Sequence, residues 1–191
     1  MDEFLGFALK EWAVAVEALE AGSTILLLRK GGIREENGRF KIDQDRVLLY
    51  PTFEHQKSDL LKPEYGNKVE FVESNFHPET VKISSWAEIT DVFLVAHEPA
   101  IKALLPYHIW NENFISERLK WKPHQPVYIL LLKIYKLPQP QIIIYQKEYS
   151  GCKSWIKTNE NITIKNSIPA LTEAEYNKQA NTIRQTIANP P

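Results

Sequence analysis

The sequence predicts an α+β fold: a curved or barrel-like mixed β-sheet, helices at both ends of the chain, and a helical insertion before the last strands. Three observations carry that expectation. Apolar residues recur at helical spacing near the N-terminus. A well-capped helix closes the C-terminus. Between them lie short runs rich in Ile, Leu, Val and Tyr. No repeat, low-complexity stretch or linker divides the 191 residues, so one domain is expected over 1–191.

In chain order, Leu5, Leu9, Trp12, Val16 and Leu19 place a helix over 4–21, ended by Gly22 at the position that follows a helix. The apolar run 24–29 reads as a buried strand, and Lys30-Gly31-Gly32 as a turn. Asn37-Gly38 marks a tight turn within a polar stretch, and 46–50 is a second strand stopped by Pro51. Residues 53–65 have no clear assignment. Short strands are expected over 69–72, 80–83 and 91–97. Pro99 opens a short helix and Pro106 closes it, while Asn111 caps another that runs to about 122. The strongest strands are 127–137 and 141–145, joined by Leu137-Pro138-Gln139-Pro140, whose prolines block a continuous ladder. The last helix spans 173–188, with Thr172 and Glu175 as a capping box and Leu171 with Tyr176 as a staple.

Composition bounds the function. Hydrophobic residues are 43% and charged residues 25%, ordinary for a folded chain. The lone Cys152 permits no internal disulfide, the acidic start does not resemble a signal peptide, and no apolar run approaches a membrane span. A cytoplasmic protein with no membrane partner is therefore expected. The net charge of −1 hides an asymmetry: residues 1–117 carry 12 basic and 20 acidic side chains, and 118–157 carry 8 and 1.

Several chemistries find no support. Nothing matches a phosphate-binding loop or a Gly-x-Ser-x-Gly elbow. The five histidines have no spacing that holds a metal, so no metal and no cofactor are expected. No Glu-x-Lys, Gln-x-Lys or Asp-x-Lys occurs, which argues against a restriction-type nuclease centre. Two features are left. One is the polar cluster Tyr50-Pro51-Thr52-Phe53-Glu54-His55-Gln56 after a buried strand, where Glu54 and His55 offer an acid/base pair. The other is the basic stretch Arg118 to Lys157, interleaved with Trp121, Tyr128, Tyr135, Tyr145, Tyr149 and Trp155, the mixture that neutralises phosphates and stacks on bases.

Three stretches carry a resemblance: residues 8–19, residues 26–33 (Leu-Leu-Leu-Arg-Lys-Gly-Gly-Ile), and residues 49–56 (Leu-Tyr-Pro-Thr-Phe-Glu-His-Gln). Together with Gly151-Cys152-Lys153-Ser154-Trp155 they resemble the bacterial domain of unknown function 1802 family. That family is described as sometimes adjoining a restriction-type catalytic domain. The resemblance thus implies a place in restriction–modification, with cleavage left to a separate nuclease component. A fainter resemblance is to PUA-like barrels of the ASCH group, where Gly-x-Lys-x-x-Glu-x-Arg leads the first strand. Gly22 and Arg29 keep that spacing, whereas Thr24 and Leu27 replace the lysine and glutamate. Such barrels often bind RNA or modified bases.

The leading expectation is a non-catalytic nucleic-acid-binding module, taking DNA or RNA. Arg29, Lys30, Tyr50, Thr52, Glu54, His55 and Gln56 would line its pocket, with Lys153 and Trp155 beside it. Two alternatives stay open: a small-molecule hydrolase using Glu54 and His55, and a protein-interaction domain.

Overall fold

A computed structural model describes residues 3–30, 34–36, 39–41, 44–73, 76, 78–121, 123–151 and 153–190. Gly31-Gly32, Asn37-Gly38 and Cys152, singled out above, lie outside the described residues, as does His77. Nine strands and five α-helices are present among the described residues, besides three short 3-10 turns: β1 (Phe4–Trp12), α1 (Ala13–Glu20), β2 (Leu26–Arg29), β3 (Arg34–Glu36), β4 (Arg39–Lys41), β5 (Arg46–Thr52), α2 (Pro63–Gly66), β6 (Thr80–Val95), α3 (Glu98–Ala103), α4 (Glu112–Lys120), β7 (Val127–Ile144), β8 (Trp155–Thr163), β9 (Ile168–Pro169) and α5 (Glu173–Ala188). The main sheet has the order β2-β7-β6-β5-β1-β8, with β9 on β7, while β3 and β4 form a separate ribbon. The β1–β5 pair is parallel and the other pairings are antiparallel. The α+β class with a curved mixed sheet is as expected. Among the described residues no helix is long and apolar enough to cross a membrane.

The largest correction is at the N-terminus, where 4–12 is a strand and only Ala13–Glu20 is helical. Leu9 joins one apolar cluster with Val47 and Leu49, and Ala8 joins a second with Leu48 and Tyr50. A strand buried on both faces loses its alternation and mimics a buried helix. Gly6 was the available signal. It sits where the β1–β8 register shifts between Leu5 and Phe7, and a Cβ there would meet Asn161 Oδ1 at 2.7 Å. Gly22 does end α1, with φ +68°, while Ser23 N–H donates to Ala18 O at 2.9 Å.

The segment 80–83 and the first five residues of 91–97 belong to one strand, β6, which ends at Val95, while 69–72 forms none. β7 likewise runs through both prolines. Its pairing still jumps from Ser85↔Lys136 to Ile83↔Gln141, leaving Leu137–Pro140 outside the ladder. The prolines therefore interrupt the hydrogen bonds without ending the strand. This irregularity lets the β6–β7 ribbon cover both clusters: Leu130, Leu131 and Leu132 pack in the first, Val81, Ile83 and Ile143 in the second. Trp86 stacks on Tyr135 at 4.2 Å across that ribbon.

β8 is hidden in the sequence by its polar run Thr-Asn-Glu-Asn; only Ile156, Thr158 and Ile162 turn inward. The C-terminal helix keeps its expected bounds and its capping box. It is tied to the sheet by Arg184, which donates to both carboxylate oxygens of Asp91 at 3.0 and 2.7 Å.

His108 lies in the core, 2% exposed, its ring 5.7 Å from that of Trp110. Burial, reinforced by the Lys62 charge and weakly opposed by the Trp110 backbone, pushes its pKa from 6.5 down to about 3. The unfolded chain therefore takes up a proton below pH 6.5 that the folded chain refuses until about pH 3, so stability is lost as pH is lowered from 6.5 toward 3. In His108→Phe the slope of unfolding free energy over this range should flatten by up to about 1.4 kcal/mol per pH unit. Urea unfolding at stepped pH reads this, and an unchanged slope would show that His108 charges inside the fold.

Candidate functional site

β1 and β5 run parallel and finish together, with Trp12 opposite Thr52. β8 begins at the same end, since Trp155 pairs with Leu9 and Lys10 N–H donates to Ser154 O at 2.9 Å. β2 also ends there, because Arg29 Nη1 donates to Lys10 O at 3.2 Å. The centre of this end is Glu11. Its Oε2 accepts from Arg29 Nη1 at 2.6 Å, its Oε1 from Trp12 N–H at 2.9 Å, and its carbonyl from the Thr52 hydroxyl at 3.0 Å. Glu11 and Arg29 side chains are 10% and 15% exposed.

Arg118, in the last turn of α4, completes a cationic cluster. Burial presses its pKa below the usual arginine value; Glu11 opposes the shift and Arg29 adds to it. Its guanidinium lies 4.7 Å from the centre of the Phe114 ring, and Phe114 meets Trp12 edge-on at 6.3 Å. Arg29 thus pairs with Glu11, while Arg118, over the Phe114 ring, feels the charges of Glu11, Glu117 and Arg29.

The Phe53–Gln56 turn follows β5 directly. His55 adopts φ +62°, a left-handed conformation rare outside glycine, and its side chain is exposed. Glu54 is half-buried, and among the described residues the two form no ion pair. Gln56 is buried and structural. Its Oε1 accepts from Val14 N–H at 3.1 Å and its Nε2 donates to Phe53 O at 3.4 Å. Trp12 precedes α1 and has no side chain able to cap it, so Gln56 serves that purpose from the neighbouring turn.

The sequence-predicted residues therefore separate. Arg29, Thr52 and Trp155 belong to the strand-end cluster, with the Glu54–His55 turn adjoining it. Tyr50 does not: it is 3% exposed in the second apolar cluster, edge-on to Tyr149 at 6.0 Å, and burial pushes its hydroxyl pKa up. Lys30 is buried and donates to Arg118 O and Leu119 O at 2.7 and 3.2 Å, satisfying the end of α4. Lys153 is exposed and donates to Glu148 O at 2.9 Å. The basic stretch also disperses. Lys133 pairs with Glu173 on α5, while only Arg118 and Lys120 of its cations sit on α4. Sequence reasoning missed Glu11 because it lay within the presumed helix; reading Gly6 as a strand bulge would have exposed it.

Among the described residues no three His, Cys, Asp or Glu side chains gather to hold a metal. Glu11→Gln leaves the largely buried Arg29 without its carboxylate partner and should cost about 3 kcal/mol. Glu11→Gln combined with Arg29→Met should cost less than the sum of the single changes. A urea-unfolding double-mutant cycle with no coupling would show that the pair does not hold this end together.

A comparison with curated proteins returns no match. Among solved structures, the chain is similar to ASCH from Zymomonas mobilis (TM-score 0.47) and to a serine-to-alanine and a tyrosine-to-phenylalanine mutant of it (0.45 and 0.44). Identity is 10% in each case; the alignments cover 92% of this chain and 93%, 94% and 96% of theirs. A family model matches residues 8–182, and on that match the chain belongs to the family described as Domain of unknown function (DUF1802).

Proposed function

We propose that the chain is a nucleic-acid-binding module without chemistry of its own, and that strand-end residues Arg29 and Arg118 are its phosphate contacts. The supporting observation is the pairing of charge with aromatic surface. Arg29 is bonded to Glu11, and Arg118 lies near enough to feel the charges of Arg29, Glu11 and Glu117, so two guanidinium groups gather at this end. Trp121, 48% exposed, directly follows α4, and Trp155 lies half-buried at the start of β8. Guanidinium groups contact phosphates and indole faces stack on unpaired bases, so a single strand is the favoured ligand. The strained His55 turn beside Thr52 adds a held, exposed side chain to the rim. Any cleavage would belong to a separate nuclease component, as in a restriction–modification setting.

Fluorescence anisotropy with labelled single-stranded RNA, single-stranded DNA and duplex DNA tests this. Affinity should fall linearly on a log–log plot between about 50 and 300 mM salt, and Arg118→Ala should reduce the slope by about 1. Trp121→Ala should cost about 1–3 kcal/mol of binding to single strands. Absence of binding to all three at the lowest salt rejects the reading.

A further inference from the structure

A cleft of about 290 Å³ opens between the end of β6, the last turn of α4 and the start of β7. Leu94, Val95 and Leu119 give it apolar walls, and Lys30, His124 and Gln125 bring polar groups to it. That volume lies at the small end of ligand sites, and the mixture of apolar wall with a few polar groups is how such sites are built.

Lys30 makes this cleft more than a surface fold. The residue is 5% exposed, yet no carboxylate pairs with it among the described residues. Two of its ammonium hydrogens go to the Arg118 and Leu119 carbonyls, and the third has no partner among the described residues. Its charged neighbour is Arg118, of like sign. A buried cation beside another cation is unfavourable unless an anion or a hydrogen-bond acceptor compensates it. The helix-end carbonyls supply part of that compensation. An anion in the cleft would supply the rest.

We propose that this cleft binds a small organic anion whose phosphate or carboxylate head sits on the Lys30 ammonium, with its apolar body against Leu94, Val95 and Leu119. His124 and Gln125 provide further hydrogen-bond donors at the mouth. A lysine offers a point charge rather than a bidentate fork, so either head group fits the same position. Burial and the Arg118 charge lower the pKa of Lys30, so anion affinity should decline at a lower pH than an exposed lysine would give. The proposal does not depend on nucleic-acid binding, which is assigned to Arg29 and Arg118.

Ligand-observed NMR and calorimetry on the full chain test it, with inorganic phosphate, phenyl phosphate, a nucleoside 5′-monophosphate and benzoate as probes. Phenyl phosphate, the nucleotide or benzoate should bind with Kd of about 1 mM or tighter, and inorganic phosphate more weakly because it lacks an apolar body. The ranking of phenyl phosphate against benzoate identifies the head group. Lys30→Met should weaken binding about tenfold or more, equivalent to one lost charged contact. Lys30 also secures α4, so the exposed pair His124→Ala with Gln125→Leu provides a second test, with an expected loss of about threefold. Absence of binding by every probe overturns the proposal. So does binding that these substitutions leave unchanged, which would make Lys30 a helix-end clamp and nothing more. Neither result bears on oligonucleotide affinity, which is measured with different ligands.

Discussion

The Glu11–Arg29 ion pair is the constraint on which the rest of this end depends. β2 lies at one end of the sheet path and β1 next to the other, with four pairings between them. The bond from Arg29 to Glu11 therefore joins strands that share no ladder, and it records how far the sheet has curled. Glu11 can do this because every acceptor it offers is used, by Arg29, by the Trp12 amide and, through its carbonyl, by Thr52. A carboxylate this buried is tolerable only when its lone pairs are so occupied.

The neighbouring devices follow from the same point. β1 passes into α1 without a loop, so the helix starts where no side chain of its own can cap it, and Gln56 reaches in to do so. Arg118 is drawn over Phe114 and toward Glu11, and Lys30 satisfies the carbonyls that α4 leaves behind. Polar groups here thus serve the architecture first. The proposed ligand contacts lie at the same end: Arg29, Arg118, the His55 turn and the tryptophans at 121 and 155.

The two apolar clusters explain which elements were legible. α5 and α4 each have one buried stripe and a cap, Thr172 with Glu175 and Asn111, so local pattern and tertiary role agree. β1 has buried residues on both faces, and its pattern carries no period to read. β8 is the reverse: an edge strand with few inward residues, whose polar run concealed it. In the site, Arg29 and Thr52 were recognisable as polar residues at the ends of apolar strands. Tyr50 and Gln56 were equally prominent in sequence, yet both point into the fold.

The α+β class, the capped helices, the turn glycine at position 22 and the strand-rich middle are legible in the chain, because each depends on residues within a few positions of one another. Tertiary pairing is what makes 4–12 a strand, carries a strand through Pro138 and Pro140, and joins Glu11 to Arg29 with Arg118 nearby. Those outcomes rest on partners tens of residues apart. Their energies come from pairing and burial that exist only once the sheet has curled, and local propensity carries no record of them.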